Sequence, residues 1–277
     1  MASASPRKFL ALSVIGLVIG LGLGGGLAFA DAPAASAAAP TSVQPQSAAD
    51  KAAADKPRIL LFGDSITWGY IPSPQGTTER YHFHQRWSGA LQDALGDSFT
   101  IVEEGLNART AGADDYVAGV DASIKEYANL NGKLALLPLL RTHDPLDLVV
   151  IFLGTNDTRV YNKQSLADIR ASIATLIKIT KVGAFKGREP KILLMAPPPG
   201  QPAQAERFNK VFAGSYELAS QLGKAYKEIA EQEEVYFLDA AELFPVVNSA
   251  DGIHLTAEDN IKLGKFVAEK VKTIFAK

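Results

Sequence analysis

A serine, a histidine and an aspartate in this sequence have the neighbours that nucleophilic catalysis requires. Ser65 lies in the segment GDSITWG after a short apolar run, where glycines allow a tight turn from a strand into a helix. Asp251 precedes His254 by three residues, so its carboxylate can orient an imidazole that takes the proton of a serine hydroxyl. The structural alternative makes Ser65 a helix N-cap and the other two turn and packing residues. For the segment of Ser65 alone the N-cap is favoured, and for Asp251 and His254 alone the two interpretations are about equally supported.

Two further turns offer hydrogen-bond donors after apolar runs. The segment GTND contains Asn156, whose neutral side-chain amide can donate to a developing oxyanion. The segment EGLNART, residues 104–110, supplies backbone N–H groups at a turn. An ordinary Asn/Asp turn is the alternative for the first segment, and the second indicates little alone.

Apolar runs and helical stripes alternate along residues 58–277 and must position these turns. We predict strands at 58–62, 99–103, 147–153, 191–195 and 235–238, and helices at 79–95, 133–141, 165–181, 203–232 and 257–276. This alternation predicts an α/β fold with a parallel sheet and helices on both faces. Ligands of such sheets bind beyond the carboxyl ends of the strands, where the candidate residues fall.

Four segments, GDSITWG, EGLNART, GTND and DGIHLT, resemble in this order the motif blocks of the SGNH (GDSL) hydrolases. The segments FGDSITWGY, VEEGLNART and LGTNDT look most like the bacterial arylesterase and acyltransferase subgroup. The resemblance covers residues 58–277 and implies a three-layer α/β/α, flavodoxin-like fold with a mostly parallel sheet and neither a metal nor an organic cofactor.

The resemblance also assigns roles. It implies Ser65 as nucleophile, Asp251 and His254 as the other triad members, and Asn156 as the oxyanion-hole side chain. The oxyanion glycine of the family falls at Ala108, whose backbone N–H persists as a donor if the local backbone does not need φ > 0. The predicted oxyanion hole therefore comprises the N–H groups of Ser65 and Ala108 and the Asn156 amide.

We therefore expect a serine esterase that hydrolyses short-chain acyl or aryl esters through an acyl-enzyme, with acyl transfer to alcohols as a second outcome. The substrate would be a small-molecule or glycan-linked ester. Trp68, Ile71 and the apolar segment 134–140 are candidates for an acyl pocket, with core packing as the alternative.

Two other functions are alternatives to the serine esterase. His82 and His84 have a spacing that can place two imidazoles on one side of an extended segment, as in a metal-dependent hydrolase. The other rival is a non-catalytic envelope module that binds glycan.

The N-terminal 57 residues differ from the remainder in composition. Residues 1–30 resemble a signal peptide, with an uncleaved membrane anchor as the alternative, and the Ala/Pro-rich residues 31–57 resemble a disordered linker. We therefore expect an exported protein, periplasmic or extracellular, whose hydrolase domain spans 58–277. Without residues 1–30 the chain has 26 basic and 30 acidic side chains, which disfavours nucleic acid as a partner. The sequence has no cysteine, and it leaves the oligomeric state open.

Overall fold

A computed structural model describes residues 56–77, 79–183, 189–203 and 205–276 of the chain. The predicted signal segment 1–30 and the predicted linker as far as residue 55 lie outside the described residues. In the part of the chain that is described, no helix combines the length and apolar character needed to cross a bilayer.

Parallel strands form the centre of the fold. β1 Arg58–Gly63, β2 Thr100–Gly105, β3 Leu148–Phe152, β4 Lys191–Ala196 and β5 Tyr236–Asp239 pair in the order β2-β1-β3-β4-β5. The order reverses between β1 and β3, so the carboxyl ends of these two strands flank the crevice where open α/β sheets bind ligands. The predicted α/β fold with a parallel sheet is confirmed.

Helices cover both faces of the sheet because alternate residues of each strand point to opposite sides. On one face, Ile59 and Leu61 of β1 pack with α2 Trp87–Leu95 and α8 Ala257–Phe275. On the other face, Leu60 and Phe62 belong to a second core. The helices on that side are α3 Gly132–His143, α4 Leu166–Gly183 and α7 Leu222–Gln232.

The predicted helix at 79–95 begins only at Trp87, so its first half is wrong. The backbone N–H of Tyr81 donates to the carbonyl oxygen of Gly69, and Arg86 has an extended backbone. A 3-10 turn, Phe83–Gln85, occupies part of this segment. The segment therefore packs back on Gly69, at the end of the short helix that follows β1, and its hydrogen bonds are not those of a continuous helix.

The predicted helix at 203–232 is divided into α5 Glu206–Val211, α6 Tyr216–Ser220 and α7. The first of these helices ends with its C-cap at Phe212, and Gly214, with the left-handed φ of 74°, lies in the turn that separates it from the second. The other predicted elements agree with the structure within one to three residues at their ends. The remaining short helix, α1 Ser65–Trp68, follows β1 directly.

Candidate active site

The turn between β1 and α1 presents Ser65 at the carboxyl edge of the sheet. Asp64, rather than Ser65, caps the helix, since its Oδ1 accepts a hydrogen bond from the backbone N–H of Ile66 at 2.9 Å. Gly105 at the end of β2 has no room for a side chain, because an added Cβ would lie 2.3 Å from the backbone nitrogen of Trp68. The serine hydroxyl is therefore free for another partner.

The loop before α8 orients Asp251 and His254. Oδ1 of Asp251 accepts hydrogen bonds from the backbone N–H groups of Ile253 at 3.0 Å and His254 at 2.9 Å. Both side chains are almost completely buried. The carboxylate thus fixes the loop with one oxygen and keeps the other for the imidazole ring.

The structure brings the three predicted triad side chains into one hydrogen-bonded line. Nδ1 of His254 lies 2.8 Å from Oδ2 of Asp251, and Nε2 lies 2.9 Å from Oγ of Ser65. With a neutral imidazole protonated at Nδ1, the ring donates to the carboxylate and accepts from the serine hydroxyl. This is the tautomer that a general base for Ser65 requires.

Burial and hydrogen bonding act in opposite directions on Asp251. Burial alone would raise the pKa of this carboxyl, but the ring and charge of His254 and two backbone N–H groups together hold the pKa below its ordinary value. Asp251 is therefore ionised at neutral pH and can stabilise an imidazolium ion.

Two backbone amides face the site without acceptors. Among the hydrogen bonds of the described residues, neither the N–H of Ser65 nor that of Ala108 has a protein acceptor. Ala108 has φ = 66°, so the backbone at the expected glycine position does adopt the left-handed conformation. An alanine there is strained, while its N–H remains a donor.

Asn156 follows β3 and faces the same crevice. Its Nδ2 donates to the carbonyl oxygen of Arg109 at 3.0 Å and to Oδ2 of Asp64 at 3.3 Å. Burial raises the pKa of Asp64 to about 6, although the Ile66 N–H and the positive charges of His254 and Arg159 oppose this. The Asn156 amide is thus held in place by groups that the sequence analysis did not single out.

Two buried side chains hold the loop that carries Ala108. Both carboxylate oxygens of Asp157 accept backbone N–H groups of residues 111–113, at 2.6 to 3.3 Å. The guanidinium of Arg109 donates to the carbonyl oxygen of Gly63 at 2.9 Å and to that of Glu104. Neither role is predicted from the sequence, where only the places of Asp157 and Arg109 beside Asn156 and Ala108 in the motifs indicate them.

A cavity of about 450 Å³ opens beside the loop that carries Ala108. Its wall is mostly apolar and aromatic, with one ion pair between Arg159 and Asp115 at 2.8 Å. Its lining residues are Leu106, Asn107, Ala108, Asp115, Tyr116, Val117, Ala118, Leu130, Arg159, Tyr161, Arg207, Phe208 and Val211. Pockets of this size hold a sugar ring or a medium-sized acyl or aryl group.

The residues predicted to line an acyl pocket do not line this cavity. Trp68 and Ile71 are absent from its wall, and the Trp68 ring lies 5.1 Å from the guanidinium carbon of Arg80. In the segment 134–140, Leu136 and Leu140 are buried in the core beneath the sheet. The lining comes instead from helix α5 and from loops that are distant from it in the sequence, so no local signal indicates it.

The histidine pair proposed for a metal lies at the surface. His84 is exposed and its Nδ1 lies 2.9 Å from a carboxylate oxygen of Asp93, and His82 is exposed beside it. Within the described ranges, no cluster of three or more histidine, cysteine, aspartate or glutamate side chains is arranged to hold a metal ion.

A parallel sheet of this order between two helical layers, with its polar loops at the β1–β3 crevice, defines a three-layer α/β/α protein of the SGNH hydrolase type. The chain belongs to the GDSL-like lipase/acylhydrolase family, whose family model matches residues 61–258. It is accordingly a carboxylic ester hydrolase, and the predicted family resemblance is confirmed.

Similar proteins include esterases of known structure. Est24, a carbohydrate acetylesterase from Sinorhizobium meliloti, is 41% identical, with a TM-score of 0.73 over 79% of this chain and 100% of that chain. The aryl esterase of M. smegmatis is 38% identical, with a TM-score of 0.71 over 78% of this chain and 99% of that chain. An acetylxylan esterase of Xylanibacter ruminicola is 26% identical over 238 residues, 79% of this chain and 44% of that protein. This chain thus spans less than half the length of that last relative.

Proposed function

We propose that the chain is a serine esterase in which Ser65 is the nucleophile, His254 the general base and Asp251 the group that orients the base. The observation that carries this proposal is the continuous line from the Asp251 carboxylate through both imidazole nitrogens to the Ser65 hydroxyl. All three side chains are buried, and a pre-formed line of this kind needs no rearrangement before proton transfer.

In the first half-reaction, Nε2 of His254 takes the hydroxyl proton as Oγ of Ser65 attacks the ester carbonyl carbon. The carbonyl π electrons move to the oxygen and form a tetrahedral oxyanion. When the oxyanion collapses, the bond to the alkoxy oxygen breaks, and the imidazolium returns its proton to that oxygen. The products are a free alcohol and an acyl-enzyme ester on Ser65.

The oxyanion would be bound by the N–H groups of Ser65 and Ala108 and by the Asn156 amide. The two backbone groups have no competing acceptor among the described residues, so they are ready for it. The side-chain nitrogen of Asn156 already donates two hydrogen bonds, to Arg109 and to Asp64. The bond to Asp64 is the longer, at 3.3 Å, and we expect the oxyanion to compete with Asp64 for that N–H group. Donors fixed in this way stabilise charge in the transition state without reorganisation.

In the second half-reaction, His254 takes a proton from water, and the hydroxide oxygen attacks the acyl-enzyme carbonyl. Collapse of this second oxyanion breaks the bond to Oγ of Ser65, which regains its proton from the imidazolium. An alcohol in place of water would give a new ester. The largely apolar cavity beside Ala108 favours the alcohol over bulk water, and this supports acyl transfer as a second activity.

We propose short acyl esters of aryl or carbohydrate alcohols as substrates. The similar proteins are a carbohydrate acetylesterase, an aryl esterase and an acetylxylan esterase. The cavity of about 450 Å³ is far larger than an acetyl group needs, so we assign it to the bulkier part of the ester.

The triad is tested by substitution with matched controls. Ser65→Ala and His254→Ala should each remove nearly all turnover of p-nitrophenyl acetate, and Asn156→Ala should lower kcat by about 10²- to 10³-fold. The controls are His82→Ala and His84→Ala, which should retain full turnover. Full activity of Ser65→Ala would refute the serine mechanism.

Two inhibitors separate the serine mechanism from the metal-dependent rival. A serine-directed phosphonate should inactivate the enzyme with one phosphonyl group on Ser65, as intact-protein mass spectrometry can detect, and a chelator should have no effect. Loss of activity with the chelator, together with loss in His84→Ala, would support the rival. Binding of glycan without any ester turnover would support the non-catalytic module.

A series of p-nitrophenyl esters from two to twelve carbons, with and without an alcohol acceptor, tests the substrate. We expect the highest kcat/KM for the shortest acyl groups. Acyl transfer predicts a new ester that forms in proportion to the added alcohol, and hydrolysis alone predicts none.

A further inference from the structure

An aromatic ring covers one face of the His254 imidazole. The Tyr70 ring is stacked on it, with ring centroids 4.1 Å apart and an interplanar angle of 28°. Phe208 contacts the imidazole edge to face, with centroids 5.5 Å apart at 80°, and also contacts Tyr70. Both aromatic residues lie outside the triad, Tyr70 in the loop after α1 and Phe208 in helix α5.

The surroundings of His254 offer few means of stabilising a positive charge. Only 4% of the residue is exposed, so water contributes little. Asp251 contacts the ring directly, and the buried Asp64 interacts with its charge from the adjacent turn. The face of an aromatic ring is electron-rich and attracts a cation placed over it, more strongly where water is excluded.

We infer that Tyr70 is a positioning residue that acts through His254. Its ring stabilises the imidazolium form and keeps the imidazole plane in line with Ser65 and Asp251. This inference rests on the proposed function, in which the imidazolium forms at each proton transfer. Tyr70 therefore stabilises the transition states, in which the imidazole gains a proton, more than it stabilises the resting state with a neutral imidazole.

The hydroxyl of Tyr70 has a separate role. It accepts a hydrogen bond from the backbone N–H of Thr77 at 2.8 Å and so ties down the loop after α1. Tyr70→Phe removes this bond and keeps the ring, whereas Tyr70→Leu removes both. The two variants distinguish the effect of the ring on His254 from a loss of loop structure.

The test is an NMR titration of the His254 imidazole in the full chain, with its signals assigned by their loss in His254→Gln. Without the ring, the titration midpoint should fall by about 0.4 to 1.5 in Tyr70→Leu. It should move by less than about 0.3 in Tyr70→Phe. Phe83→Leu is the matched control, because Phe83 contacts the exposed His84 and not His254.

The midpoint of the acid limb of kcat should move in the same direction, and kcat at its plateau should fall by about 2- to 30-fold in Tyr70→Leu. If Tyr70→Leu does not fold, Tyr70→Met serves as the ring-free variant. An unchanged or raised midpoint in the ring-free variant would overturn the inference, as would an equal fall in Tyr70→Phe. The titration reads the imidazole without any turnover, so its failure is distinct from a failure of the proposed esterase mechanism.

Discussion

Replacing Ala108 with glycine should raise the free energy of unfolding while retaining turnover. Ala108 has φ = 66°, where a Cβ crowds the following carbonyl oxygen. Glycine accepts this conformation without strain and keeps the backbone N–H that we assign to the oxyanion. The substitution therefore separates the side chain from the donor.

The expected gain follows from two opposing effects. Relief of the left-handed strain contributes about 1 to 2 kcal/mol. The greater conformational freedom of glycine in the unfolded chain lowers this gain in the free energy of unfolding by about 0.4 to 1 kcal/mol. The net stabilisation is about 0.8 kcal/mol, which for a domain of this size corresponds to a rise in Tm of about 2 to 3 °C.

Urea unfolding, thermal unfolding and p-nitrophenyl acetate kinetics measure the effect. Lys163→Gly and Glu234→Gly are matched controls, because these residues also have positive φ, 50° and 55°, outside the site. They should show a similar gain in stability. Ala108→Val is the opposite test, since a β-branched residue is strongly disfavoured at this φ and should lower both stability and kcat.

Strain at Ala108 is refuted if Ala108→Gly lowers the free energy of unfolding by more than about 1 kcal/mol while Lys163→Gly raises it. Glycine would then bring no relief at residue 108, although it does so at another left-handed site. A loss of more than about tenfold in kcat would show that the side chain, and not only the N–H, supports the reaction.

Three further predictions concern buried carboxylates and export. Because the pKa of Asp64 is raised to about 6, the folded state binds its proton more tightly, and the stability contributed by this group falls as pH rises from about 4 to 6. Urea unfolding should therefore show that the free energy of unfolding of Asp64→Asn gains about 2 kcal/mol relative to that of the wild type from about pH 4 to pH 6, and parallel pH dependences would refute it. Asp157→Asn should lower the free energy of unfolding by about 1 to 3 kcal/mol and should also lower kcat, because the loop of Ala108 loses the carboxylate that binds its backbone N–H groups. The control is Asp97→Asn at an exposed position, which should change neither quantity. Residues 1–57 fused to a reporter that is active only after export should produce activity outside the cytoplasm, and an inactive cytoplasmic fusion would contradict the predicted signal segment.

Much of the fold could be predicted because its signals are local. Each strand is a short run rich in apolar residues that ends at or within two residues of a glycine, proline or aspartate, and the strands alternate with helical stripes. The parallel sheet therefore follows from patterns of about ten to twenty residues. The errors occurred where tertiary contacts changed the local preference. The segment 79–86 forms a backbone hydrogen bond to Gly69, after α1, instead of extending α2. A turn that contains the left-handed Gly214 interrupts the predicted helix 203–232.

The sequence by itself determined which residue types could act and where each would stand relative to its own strand, because a turn after a strand and a three-residue spacing are local properties. The sequence therefore indicates Ser65, Asn156, Asp251 and His254 as candidate site residues. Only the tertiary structure decided that loops 189 residues apart bring Oγ of Ser65 to 2.9 Å from Nε2 of His254. It also decided that the backbone of Ala108 is left-handed and that segments distant in the sequence form the cavity wall. These features depend on the packing of several elements against one another, and no stretch of sequence contains that information locally.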